Sequence, residues 1–138
     1  MKIEGYRLLN EIDGTDAFPV FISDDVHGLL TKEGRTNNRK HVRKVAATLT
    51  NIQRNGLNGV SNTTLFVREG KFPSGLPGMS DIAVYAAKSW QLRIYGGLIK
   101  VRGVRVFLCP EGAIKKQDRA DQAQLQRVAK VLGGWNER

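Results

Sequence analysis

Cysteine is almost absent: Cys109 is the sole example in 138 residues, so no internal disulfide can staple the chain, and a buried thiol in a strand is its expected state. Histidine is nearly as scarce. His27 and His41 are the only two, and neither has ligand-like or triad-like spacing, which argues against a metal centre or a Cys109 nucleophile. No metal and no cofactor are expected. No apolar run approaches the length of a membrane span, and the opening MKIEGYRLLNEIDG lacks the hydrophobic stretch of a secretory signal. The expectation is a cytoplasmic protein without membrane association. Internal repeats and low-complexity tracts are missing as well. Acidic residues are in short supply: 13 Asp and Glu stand against 22 Lys and Arg, for a net charge of +9 and a pI near 10.1. That imbalance favours a polyanionic partner such as RNA, DNA or an acidic protein segment. At 15.3 kDa the size expectation is one domain over residues 1–138, built on a single core.

What is present is organised around Ile82 to Gln117. Three runs, IAVYAAKSW, QLRIYGGLIKVRG and VRVFLCPEGAIKKQ, are rich in β-branched and aromatic residues and are punctuated by Ser89, Gly96, Gly97 and Gly103, which predicts a strand meander. Alternation sets Leu92 and Ile94 against Arg93 and Tyr95, and Val104, Val106 and Leu108 against Arg105, Phe107 and Cys109. The expectation is an antiparallel sheet whose aliphatic face lies under helices while Arg93, Tyr95 and Arg105 face outward, with Lys115 and Lys116 at the exit.

Before this meander, residues 3 to 12 read as an edge strand closed by a turn at Asp13, Gly14 and Asp16. AFPVFISDD is a second extended or loop segment interrupted by Pro19. From Asn37 to Asn55, Val42, Val45, Ala46, Leu49 and Ile52 recur at helical spacing, with Gly56 as the stop. Arg35, Arg39, Lys40, Arg43, Lys44 and Arg54 share the other side without intervening carboxylates. This surface is either a solvated face or a platform for phosphates or an acidic partner. Residues 57 to 81 read mostly as a Gly- and Pro-rich loop with a brief strand at TTLFVRE, and carry Arg68 and Lys71. A last helix is expected from Asp118 to Leu132, with Gly133 and Gly134 as its end.

Lys71 with Phe72, Leu76 and Gly78, then IAVYAAK, QLRIY, VRVFLC, Lys115 with Lys116, and the alanine-bearing segment from Asp118 follow one another in an order that resembles the RelE/HigB/ParE superfamily of bacterial toxins, in particular its phage-derived, HigB-like branch. The overlap runs from Lys71 to Val131. The resemblance implies a small α+β RelE-like fold with an antiparallel sheet and helices packed on one face. It also implies a ribosome-dependent mRNA endoribonuclease of a type II toxin–antitoxin system, which cleaves through the RNA 2′-hydroxyl without metal. Its partners would be mRNA on the ribosome and a cognate antitoxin whose acidic segment covers the cationic face. Such chemistry needs a group to take the 2′-hydroxyl proton, cations for the phosphorane, and a proton for the leaving 5′-oxygen. Arg93 and Arg105 suit the phosphate; Lys88, Lys115 or Lys116 suit proton transfer; Tyr95 suits stacking or proton donation. Arg35, Arg39, Lys40, Arg43, Lys44, Arg68 and Lys71 are the expected nucleic-acid contacts. Family enzymes often place a histidine or tyrosine near the C-terminus as acid or base, and this chain has neither after Tyr95. A ParE-like gyrase inhibitor and a non-catalytic phage-derived nucleic-acid-binding protein are therefore alternative readings.

Overall fold

A computed structural model describes residues 1–59, 64–116 and 121–137. The chain runs β1 (Tyr6–Leu8), β2 (Val20–Ser23), α1 (Asp24–Glu33), α2 (Arg39–Asn55), a 3₁₀ turn (Leu57–Gly59), β3 (Phe66–Phe72), β4 (Ile82–Ser89), β5 (Leu92–Val101), β6 (Val104–Ile114) and α3 (Gln122–Trp135). The six strands form one sheet in the order β1-β2-β6-β5-β4-β3. All neighbours are antiparallel except β2 and β6, which are parallel. The architecture is α+β, with a mixed sheet rather than the purely antiparallel one expected. The parallel pair arises because β2 is followed by two helices and the whole meander before the chain returns beside it as β6.

Helices cover both faces, which corrects the expectation of helices on one face over a single core. Val26 and Leu30 of α1 and Val45, Leu49 and Ile52 of α2 pack with Val20, Ile22, Leu92, Ile94, Phe107 and Cys109. Leu125, Val128, Ala129 and Leu132 of α3 pack with Val84, Ala86, Tyr95, Ile99, Val106 and Leu108. Burying each such side chain is worth about 1.5–3 kcal/mol, so each face supplies a substantial share of the stability.

The division of β6 between the two faces has a local cause. Tyr95 lies opposite Glu111 and Gly97 opposite Leu108, so two steps on β5 match three on β6. This is a β-bulge at Cys109 and Pro110, where proline supplies no N–H to the ladder. Before it Val106 and Leu108 face α3; after it Gly112 and Ile114 lie opposite Ile94 and Leu92, toward α1 and α2. The uniform face expected along the meander fails before the bulge as well: Val106 pairs with Ile99 and Leu108 with Gly97, so Val106 and Leu108 lie on the opposite face from Leu92 and Ile94, and Val104 is exposed. The Ser23 hydroxyl donates to the Pro110 carbonyl at 2.7 Å and accepts from the Val26 amide at 3.0 Å, tying the bulge to the N-cap of α1.

Helix α1 occupies what reads in sequence as the end of an extended segment; its signal is Ser23 followed by Asp24 and Asp25 in the first turn. β3 overlaps the brief strand expected at TTLFVRE and runs on to Phe72 in the predicted loop. Gly96 and Gly97 are not a turn but lie within β5: a Cβ on Gly97 would stand 2.7 Å from Leu132 Cδ1 and 2.8 Å from the Ala83 carbonyl. The expected helix start at Asp118 lies outside the described residues; Asp121 caps α3 by accepting from the Ala123 and Gln124 amides, and the helix continues through Gly133 and Gly134 to Trp135.

Candidate nucleic-acid interface

Three predicted cations meet where the β4–β5 hairpin turns. Lys88 lies directly opposite Arg93, and Arg93 opposite Ala113, so Lys115, two residues beyond Ala113, projects to the same face. The Arg93 side chain lies along the sheet end rather than extending into solvent: the residue is 8% exposed, and its Nη1 donates to the carbonyls of Trp90 and Leu92. Among the described residues the ion pairs are Arg7–Asp24, Lys115–Asp121 and Arg127–Glu111. Arg93 and Lys88 thus have no carboxylate partner there. Lys115 does, with its ammonium 3.8 Å from Asp121, so its neighbours are not all cations.

Tyr95 occupies the next position on this face but is sealed beneath α3 at 1% exposure. Burial first, then Glu69, push its phenol up to about 12, against the opposing pull of Arg93. A ring without an open face cannot stack on a base, and a side chain sealed beneath α3 offers a substrate no access to its phenol. The two roles expected for Tyr95 are withdrawn.

The second wall is α2. Arg39, Lys40, Arg43 and Lys44 are exposed on its first two turns, and Arg35 is exposed in the turn before it. No acidic residue offsets the helix N-terminus, and Thr36, Asn37, Arg39, Lys40 and Arg43 line a shallow cleft of about 360 Å³. From this helix His41 reaches the hairpin. Its Nδ1 lies 2.8 Å from Ser89 Oγ, and its ring stacks on Trp90 with centroids 5.3 Å apart and planes 25° from parallel. Burial, then Lys40 and Lys44, hold the imidazole below its ordinary range, which favours its neutral form. Trp90 therefore joins the two walls: its ring stacks on His41 and its carbonyl accepts from Arg93.

Comparison of the chain with protein-family models, with curated proteins and with solved structures finds no match. The geometry alone bears on function.

Arg105 does not belong to this surface. It lies opposite Lys100 beside the β5–β6 turn, seven residues along β5 from Arg93, a strand distance of about 23 Å. Its guanidinium sits 5.9 Å from the centre of the Phe18 ring, on the α1/α2 side, whereas Arg93 is on the α3 side. The misplacement arises because aliphatic residues line both faces of the sheet: Arg93 and Lys100 are an odd number of residues apart on β5 and so face opposite ways, and Arg105 pairs with Lys100. Lys116 is exposed just beyond β6, while Arg68 and Lys71 are exposed on edge strand β3, opposite Tyr85 and Ala83. Arg68 faces the α2 side, and Lys71 lies farther from the hairpin.

Two residues of the site escaped sequence reading. Trp90 reads as a packing residue, yet it is 55% exposed; the available signal was its place beside Gln91 in a two-residue hairpin, where small or polar residues are usual. His41 is an isolated histidine on a basic helix, and nothing local indicates that α2 carries it to Ser89. Among the described residues no three His, Cys, Asp or Glu side chains gather in a way that suits a metal, and no helix is long and apolar enough to cross a membrane.

Proposed function

We propose that this protein is a RelE/HigB-like toxin that cleaves mRNA on the ribosome through the RNA 2′-hydroxyl and is restrained by an antitoxin whose acidic segment covers the hairpin end of the sheet. The observation that carries this reading is Arg93, a largely buried residue whose guanidinium has no carboxylate partner among the described residues and which is flanked in register by Lys88. Such a cation is prepared for an anion supplied from outside, and a phosphodiester fits its planar fork. The order of elements that carries the family resemblance, a basic helix, three meander strands, Lys115 with Lys116 and a C-terminal helix, gives further support.

In this reading His41 takes the part that the C-terminal histidine or tyrosine plays elsewhere. In the tautomer whose Nδ1–H donates to Ser89, Nε2 is free to accept the 2′-hydroxyl proton, and the lowered affinity of the ring for a proton favours the neutral form a base needs. The 2′-oxygen attacks phosphorus, the bond to the 5′-oxygen breaks, and a 2′,3′-cyclic phosphate and a 5′-hydroxyl result. Arg93 and Lys88 hold the additional negative charge, and a lysine ammonium of the same surface protonates the leaving oxygen.

A non-catalytic binder of the same surface is the second reading. The burial of Tyr95 favours it, since that removes one acid–base candidate. Induced expression without an antitoxin separates the readings, with primer extension on a reporter message. Cleavage restricted to translated mRNA, and lost in Arg93→Ala and His41→Gln, is the expected result. Growth arrest with intact mRNA and relaxed or damaged DNA would move the assignment to a ParE-like gyrase inhibitor, and neither effect to a plain nucleic-acid-binding protein.

A further inference from the structure

We propose that Trp90, backed by His41, is a stacking platform for an unpaired base of single-stranded RNA, with the flanking phosphates seated on Arg93 and Lys88 to one side and on Lys40 and Lys44 to the other. The proposal rests on reading this surface as an RNA interface and names what that interface grips. Trp90 is the most exposed large apolar residue among the described residues, at 55%, and neither it nor His41 belongs to either hydrophobic layer. The pairs Phe66–Tyr85 and Tyr85–Phe107, by contrast, lie within the layer under α1 and α2.

The indole is also held in place before any ligand arrives. Its backbone is in the left-handed region, φ 54°, which a bulky residue seldom adopts and which costs stability unless the surroundings enforce it. Here they do: Arg93 holds the Trp90 carbonyl, His41 lies against one face of the ring, and Ser89 fixes His41. The other ring face has no aromatic partner among the described residues. A rigid indole of this kind, bordered by cations that lack carboxylate partners, matches the way single strands are bound without strict sequence choice: every base has a π-face, and phosphates follow the positive walls. Duplex RNA cannot use the ledge because its bases are already stacked and paired.

The test uses the intact protein labelled with 5-fluorotryptophan. Its two indoles, Trp90 and Trp135, give two fluorine NMR resonances, assigned with Trp135→Phe and Trp90→Phe. Titration with a short oligouridylate should shift the Trp90 resonance and leave that of Trp135 in place, and a duplex of equal phosphate content should move neither. Trp90→Leu should weaken oligouridylate binding about 5- to 150-fold at fixed salt without changing the salt dependence, since the phosphate contacts remain, while Trp90→Phe stays within a few-fold of the parent. Binding with an unmoved Trp90 resonance, no binding, or equal affinity in Trp90→Leu each overturns the platform. If an acidic peptide but no oligonucleotide moves that resonance, the ledge serves a protein partner and the proposal fails. Because free oligonucleotide is used, the outcome is independent of cleavage. A shifted resonance without ribosomal cleavage would sink the toxin reading alone, and cleavage with an unmoved resonance would sink the platform alone.

Discussion

Lys88 and Arg93 are directly opposed on neighbouring strands, two like charges with no carboxylate partner for either among the described residues. Like charges in that position disfavour the sheet by a fraction of a kcal/mol to about 1 kcal/mol. The arrangement makes sense where a bound anion offsets the repulsion.

Neutralising Lys88 should accordingly stabilise the free protein. Lys88→Gln is expected to raise the melting temperature at low ionic strength, with the gain shrinking as salt screens the pair, and to weaken RNA binding. Arg93→Ala should behave differently, because a residue so buried that bonds two carbonyls also packs. It should lower the melting temperature, whereas a surface cation under repulsion would leave it unchanged or raise it, and should reduce cleavage by about 2.7–4 kcal/mol of transition-state stabilisation. Thermal melts with and without oligonucleotide, beside cleavage rates, decide both points.

The two hydrophobic layers should respond independently. Ile52→Val in the α2 layer should cost about 0.5–1.5 kcal/mol and Leu132→Ala in the α3 layer about 2–5 kcal/mol, and the double variant should be additive to within about 0.5 kcal/mol because the sheet separates the sites. Gly97→Ala with Leu132→Ala should be less than additive, since trimming Leu132 removes the atom 2.7 Å from the new Cβ. Urea unfolding of the singles and doubles measures this. Coupling between Ile52 and Leu132 of 1 kcal/mol or more would contradict the layered arrangement.

His41 should titrate below its ordinary value of 6.5, for reasons of burial and of Lys40 and Lys44. A folded value below the unfolded one means that the unfolded chain takes the proton first. This group therefore costs no stability above pH 6.5 and costs progressively more as pH falls through 6.5 toward the folded value. Added salt should screen the lysines and raise the midpoint, leaving the part due to burial. Proton NMR of the imidazole as a function of pH checks both, and a midpoint at or above 6.5 would remove His41 as a neutral base.

Much of this molecule is determined by local sequence. The spacing of Val45, Leu49 and Ile52 makes α2, with Gly56 as its C-cap; the β-branched runs make β4, β5 and β6; and the apolar residues from Leu125 to Leu132 make most of α3. The basic wall of α2 was equally legible, because its cations lie on a periodic element without acidic neighbours. What failed were assignments that carry an orientation across a turn or over a long stretch of chain. Arg105 lost its place beside Arg93 because aliphatic residues line both faces of the sheet, so grouping Val104, Val106 and Leu108 with Leu92 and Ile94 turned β6 the wrong way; the pairing of Arg105 with Lys100 sets its face. Tyr95 lost its open face because α3 returns to the side opposite α1 and α2, a choice that helical periodicity does not encode. His41 reached Trp90 only because α2 packs across the sheet with its N-terminal turns at the β4–β5 hairpin. Periodicity acts between residues a few positions apart and settles the elements. The face each element covers depends on burial summed over contacts distant in sequence, and that only the tertiary structure decided.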